Sequence, residues 1–380
     1  MRTKIYWLLI ITLLFLGCEE EFDPEVVDYQ NLLVVDGLMH NEAGPYTVKL
    51  SYSSTVSNPR FLPVSGCTVI INDRYGNTTQ LVESEPGIYT TAESRLKGET
   101  GVEYKLNIMT PEGKNYESDW EMIHQEVAID TVYAQYEYRS DPDVNHTIEG
   151  YQFFISSETA PNDSTCFYWN MVETWEFYSD YTIDFTYSGQ IEPYPNPDTV
   201  YHCWATEVVP EIFVLNTSNL SQPKATNFPL HFVSTDTKRL TEKYSVMIEQ
   251  MVISKAAWKF RDDINSLISD DNFLFASQPF QVNGNIRCVE YPDELVLGYF
   301  TAAGITTKRV FLDRPPNASF HFAKCYADPD LRGLGFAPPS TWPIYLTKLE
   351  SGQMAIISEV CVDCTQNGGM LNKPDFWPNN

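Results

Sequence analysis

From Leu32 to Met109 the apolar runs are all strand-length, and turn-forming residues break up the chain between them. The runs are Leu32–Asp36, Tyr46–Tyr52, Cys67–Asn72, Thr78–Glu83, Ile88–Thr91 and Glu103–Met109. Asn41-Glu42-Ala43-Gly44-Pro45, Asp73-Arg74-Tyr75-Gly76-Asn77 and Glu85-Pro86-Gly87 stand between them. A helix would need apolar residues every three or four positions over a longer stretch. Short runs at this spacing, with glycine and proline at the joints, instead predict a β-sandwich of immunoglobulin or fibronectin type over residues 31–124.

Residues 125–380 predict a larger β-rich domain. Ile129–Tyr138, Tyr151–Ser157 and Cys166–Tyr178 are longer runs rich in Tyr, Phe and Trp. Tyr181 to Tyr201 holds Pro193, Pro195 and Pro197 and predicts a loop excursion. Between Tyr244 and Ile253 neither alternating face is cleanly polar, which suits a strand covered on both sides. One principal α-helix is expected at about 255–269. Ser254 can cap it, Ala257, Phe260, Ile264 and Leu267 form its apolar stripe, and Asp270-Asp271-Asn272 ends it. The expected fold class is therefore mostly β, with a sandwich first and a larger β-rich domain after it.

Within that second region, alternation along Cys166–Tyr178 puts Phe167, Trp169, Trp175 and Phe177 on one strand face and Tyr168, Val172 and Tyr178 on the other. Two readings fit. The sheet can be covered on both faces, or Trp169, Trp175, Phe177 and Tyr178 can form an exposed platform for a ligand or partner.

At the N-terminus, Arg2 and Lys4 precede an apolar run from Ile5 to Leu16. As a helix it would reach about 18 Å, well short of the roughly 30 Å hydrocarbon core of a bilayer. The pattern predicts a secretion signal over residues 1–17. Leu14-Phe15-Leu16-Gly17-Cys18 resembles the lipobox of bacterial lipoproteins, which implies that Cys18 is lipidated and becomes the first mature residue. Residues 18–30 are expected to be an acidic tether. Glu19, Glu20 and Glu21 at its start resemble the surface-export signal of Bacteroidota lipoproteins, which implies an outer-membrane protein facing outward.

Charge narrows the partners. The whole chain has 25 basic and 51 acidic residues; without Arg2 and Lys4 the balance is 23 against 51, or −28. Such a surface repels nucleic acid, and it repels anionic headgroups too, so the membrane is expected to be engaged only through the lipid. In an exported chain, cysteines predict disulfides. Cys203, Cys288, Cys325, Cys361 and Cys364 are the expected participants. Seven cysteines remain besides Cys18, so at least one stays unpaired, and isolated Cys67 is the candidate.

The C-terminal third carries phrases of a known family. Phe280-Gln281-Val282-Asn283-Gly284-Asn285-Ile286-Arg287-Cys288 is followed by Glu294-Leu295-Val296-Leu297-Gly298-Tyr299-Phe300. Cys361-Val362-Asp363-Cys364-Thr365, Gly368-Gly369 and Lys373-Pro374-Asp375-Phe376-Trp377 close the chain, with Cys203-Trp204 upstream. Together with the lipobox this resembles a family of Bacteroidota outer-membrane lipoproteins catalogued as a domain of unknown function. Its members tend to be encoded beside TonB-dependent receptors. The resemblance implies an accessory lipoprotein of such a receptor and brings no catalytic residues with it.

The residues themselves point to no catalytic centre, cofactor or metal. Cys361 and Cys364 form a C-x-x-C, but Thr365-Gln366-Asn367-Gly368-Gly369 forbids the helix a thioredoxin-like site needs. A zinc site would need two further ligands that no second C-x-x-C or close His pair supplies. Asp141-Pro142-Asp143-Val144-Asn145 begins like a calcium loop, yet His146 replaces the glycine and the closing Glu is missing; Asp328-Pro329-Asp330 is equally incomplete. The expected function is a non-enzymatic, ligand-capturing partner of a TonB-dependent receptor in nutrient uptake. An adhesion or envelope-assembly role, or a surface hydrolase built on two carboxylates or a Ser/His pair, is the alternative.

Overall fold

The computed structural model describes residues 31–54, 59–92, 96–161, 164–270 and 282–378. Cys18 and Glu19 to Glu21 lie outside them. The first region forms β1 (Leu33–His40), β2 (Thr47–Tyr52), β3 (Leu62–Pro63), β4 (Thr68–Asp73), β5 (Thr78–Gln80), β6 (Val82–Glu85), β7 (Ile88–Thr90), β8 (Glu103–Met109), β9 (Asn115–Ser118) and β10 (Glu121–Met122). The second forms β11 (Ile129–Arg139), β12 (Ile148–Ser157), β13 (Cys166–Tyr178), β14 (Phe185–Tyr187), β15 (Ile191–Pro193), β16 (His202–Val208), β17 (Phe213–Asn216), β18 (Phe228–Ser234) and β19 (Tyr244–Ile253). After the helix Lys255–Asp270 come β20 (Ile286–Cys288), β21 (Leu297–Leu312), β22 (Ile344–Lys348) and β23 (Met354–Ile357).

Period-two burial explains the sandwich. In β8, Tyr104, Leu106 and Ile108 point inward while Glu103, Lys105 and Asn107 point out. They meet Val35, Val48, Leu50 and Tyr89 from the facing sheet in one apolar core. The core does not end at residue 124. β20 pairs with β9 at one sheet edge, and Cys288 and Phe300 lie in the same core. The other sheet also continues into the second region, because β1 pairs parallel with β21 over seven registered positions. Gly298 permits that approach: its φ is +92°, and a side-chain carbon there would sit 1.9 Å from the Val35 carbonyl oxygen.

β21 is thus the spine of a ten-stranded sheet running β16-β13-β19-β21-β1-β2-β7-β6, with β17 also paired to β13 and β3 to β2. Its first half belongs to the sandwich and its second half to the larger region. There the inner face of β13 and β19 packs against a three-stranded sheet of β11, β12 and β18. The helix Lys255–Asp270 lies against the opposite face, where Ala257 is buried and Phe260 meets Tyr299 at 5.0 Å. Ser254 caps it, its hydroxyl accepting from the Ala257 N–H at 3.0 Å. A small sheet, β15-β14-β22-β23, takes two of its strands from within the Pro-rich excursion Tyr181 to Tyr201, so the expected loop is partly strand.

Candidate functional site

The strand ends at one pole of the long sheet enclose a polar cleft of about 490 Å³. β13 finishes there at Tyr178, β16 begins just after Tyr201, the turn Lys238–Leu240 leads into β19, and Arg314 follows β21. Four rings line it: Tyr178, Tyr181, Tyr201 and Phe322. Tyr178 stacks on His202 at 4.5 Å and leans toward Tyr201 at 5.1 Å. Burial pushes the Tyr178 and Tyr201 phenols above their ordinary range, so both stay hydroxyl donors.

The charges come in balance. Lys238 Nζ lies 2.6 Å from Asp180 Oδ1 and donates to the Tyr178 carbonyl at 3.1 Å. The Cys325 N–H donates to the second Asp180 oxygen at 2.8 Å, so this carboxylate is fully held. Arg314 donates to the Thr241 carbonyl at 3.2 Å and covers the Phe320 ring. Burial raises the Glu242 carboxyl, with Arg314 opposing. Lys324 and Glu350 complete the rim. Apart from Tyr178 at the end of β13, none of these wall residues falls in a periodic pattern. The others come from loops and turns, which carry no local periodicity to mark them in the sequence.

The proposed aromatic platform needs correction. Trp169, Trp175 and Phe177 are core residues, with 0%, 7% and 3% of their surface exposed. β13 runs between β19 on one edge and β16 and β17 on the other, and its inner face is covered by the three-stranded sheet. Trp169 stacks on Phe228 at 4.7 Å and donates its indole N–H to Gln250 at 3.1 Å. Trp175 lies beneath the Arg239 guanidinium, which Glu173 and Glu207 hold. Tyr178 reaches a surface because it sits at the strand's end.

Among the described residues two disulfides form, Cys203–Cys364 and Cys325–Cys361. The C-x-x-C cysteines therefore bridge outward and not to each other. A bridge at Cys288 is not made: β20 buries this thiol in the sandwich core, away from the four cysteines around the C-terminal tail, and its sulfur faces Glu290 Oε2 at 3.6 Å. Cys67 and Cys166 are also free. The tail beyond Cys364 is pinned further. Met370 and Trp204 exchange backbone hydrogen bonds at the free edge of β16, and buried Trp377 meets Phe311 of β21 at 5.6 Å.

Histidine–carboxylate pairs occur at His146–Asp236 (2.9 Å), His202–Glu176 (2.7 Å) and His231–Glu211 (3.1 Å). Among the described residues no serine, threonine or cysteine is hydrogen-bonded to these rings, so none has the nucleophile–base contact of a triad. The Asp141 and Asp330 carboxylates cap their own turns, and Asp330 is also gripped by Arg332. Among the described residues no three His, Cys, Asp or Glu side chains converge as a metal site.

Comparison with curated proteins finds no match. A family model does match, over a span ending before the terminal Cys361–Trp377 signature that contributed to the resemblance. It covers the sandwich, β13, β19 and most of the β21 spine, well over half of the chain. On that match, over residues 19–309, the chain belongs to the family described as Domain of unknown function (DUF4249).

Proposed function

We propose that the protein is a lipid-anchored, outward-facing lipoprotein of a Bacteroidota outer membrane. In this reading it is not an enzyme and serves a TonB-dependent receptor in nutrient uptake by holding a ligand in the cleft of Tyr178 and Tyr201. One observation carries the reading. The described chain starts at Asn31, beside Leu33, and β1 is registered so that Val34 faces Leu297 at the start of β21. The cleft lies past Leu312, at the far end of the same strand. Sixteen residues separate the two ends, at most about 50 Å at ~3.3 Å per residue. A tether running from Cys18 to Asn31 would enter at one pole and leave the cleft open at the other, away from the bilayer.

The lipobox-like run ending in Cys18 and the acidic Glu19 to Glu21 support the same reading, as does the receptor-linked family that the sequence resembles. The test is purification of the tagged protein from detergent-solubilised outer membrane. A β-barrel receptor should co-purify in fixed proportion. Recovery of the lipoprotein alone, under conditions that preserve known receptor complexes, would refute the partnership.

A further inference from the structure

We infer that the cleft takes a neutral oligosaccharide, a deduction that rests on the ligand-capture reading above. The lining is mostly polar. Eight of its twelve residues carry a charge or an aliphatic hydroxyl, and the other four are rings. An apolar ligand would take Glu242, Lys324 and Glu350, which have no ion pair among the described residues, out of water without a partner.

Charge then excludes an ionic ligand. Lys238, Arg314 and Lys324 face Asp180, Glu242 and Glu350, so the cleft has no net charge in a chain of −26. Anions are repelled by the molecule as a whole, and cations find no excess of carboxylate here. A sugar hydroxyl, in contrast, can donate to a carboxylate and accept from an ammonium at once, so balanced charges suit it.

Open partners remain for such hydroxyls. Among the described residues the Tyr178, Tyr181 and Tyr201 hydroxyls have no hydrogen-bond partner, and Lys324 and Glu350 have no ion pair. The rings beside them present flat faces to the C–H surface of a pyranose. A peptide is disfavoured because peptides are commonly bound along a free strand edge. This cleft is made of strand ends and loops, so it offers side chains and no row of backbone groups.

The experiment is titration calorimetry on the detergent-purified mature protein with maltotriose, cellotriose, mannotriose, trigalacturonate and trialanine. At least one neutral trisaccharide should bind with Kd below about 1 mM. Its affinity should change less than about twofold when salt is raised across the screening range. Tyr201→Ala should weaken it by about tenfold or more, and Tyr201→Phe, which keeps the ring, by less. Preference for trigalacturonate or trialanine would overturn the inference, as would no binding of any neutral sugar. Full affinity in a folded Tyr201→Ala protein would overturn it too, since folding is followed separately by thermal melting. Sugar binding without receptor co-purification would leave this inference standing and remove the receptor partnership. Cleavage of the bound sugar would support the ligand class and end the non-enzymatic reading.

Discussion

Removing the Cys203–Cys364 bridge tests how the C-terminal third is held. The two cysteines are 161 residues apart, and the Cys325–Cys361 bridge lies nested between them. With the inner bridge closed, the outer loop shortens to about 125 residues, for which loop closure removes about 5 kcal/mol of unfolded-state entropy at 25 °C. That is comparable to the whole stability of many domains, about 5–15 kcal/mol. The double variant Cys203→Ala/Cys364→Ala should therefore lose several kcal/mol in guanidinium denaturation. Reduced wild-type protein serves as a control for the lost sulfur atoms, which are fully buried at both positions. The variant Cys325→Ala/Cys361→Ala opens a loop of 36 residues and should lose somewhat less, about 4 kcal/mol on the same scale. The tail should also become more protease-sensitive past residue 364, where the Trp204–Met370 pair, Phe376 under Arg309 and Trp377 would still hold it. A loss below about 1 kcal/mol with unchanged denaturant slope would refute the reasoning, because a cross-link of this span cannot be thermodynamically silent unless the unfolded chain is already compact.

Three further outcomes are expected. Glu121 is 4% exposed; one oxygen accepts from Tyr299 at 2.6 Å, the other has no hydrogen-bond partner among the described residues, and burial raises its carboxyl above the ordinary 4.5. A raised acid binds its proton more tightly when folded, so its contribution to stability is present at low pH and lost as pH rises through the folded value; Glu121→Gln should stabilise by about 1–3 kcal/mol at pH 8 and little below pH 4.5, and an equal effect at both, read by urea melts, would contradict this. Trp175→Ala should cost about 3–5 kcal/mol in chemical denaturation, whereas Tyr178→Ala should leave folding largely intact; a stable Trp175→Ala protein would restore the platform reading. Cys18→Ser should move the protein from the membrane pellet to the soluble fraction or halt it as precursor, and normal retention on fractionation would argue against lipidation.

Much of the architecture was legible in local pattern. Alternation along Glu103–Met109, the punctuation at Glu85-Pro86-Gly87 and the Ser254 cap each act within a few residues, and each led to the element that forms. The two-sided apolar run of Tyr244–Ile253 announced a covered strand for the same reason. Burial on both faces leaves no polar period.

What the chain alone determined is therefore its mostly-β character, its principal helix and its strong acidity. Tertiary structure alone decided four other things: the parallel union of β1 with β21, the entry of β20 into the sandwich, the pairing of cysteines across 161 residues, and the assembly of the cleft. Each joins segments far apart in sequence, and no local periodicity encodes such a contact. Trp175 and Tyr178 make the distinction within one strand. Alternation puts them on opposite faces of β13 but does not say where cover ends; the packing of neighbouring strands leaves Trp175 under Arg239 and Tyr178 open to the cleft.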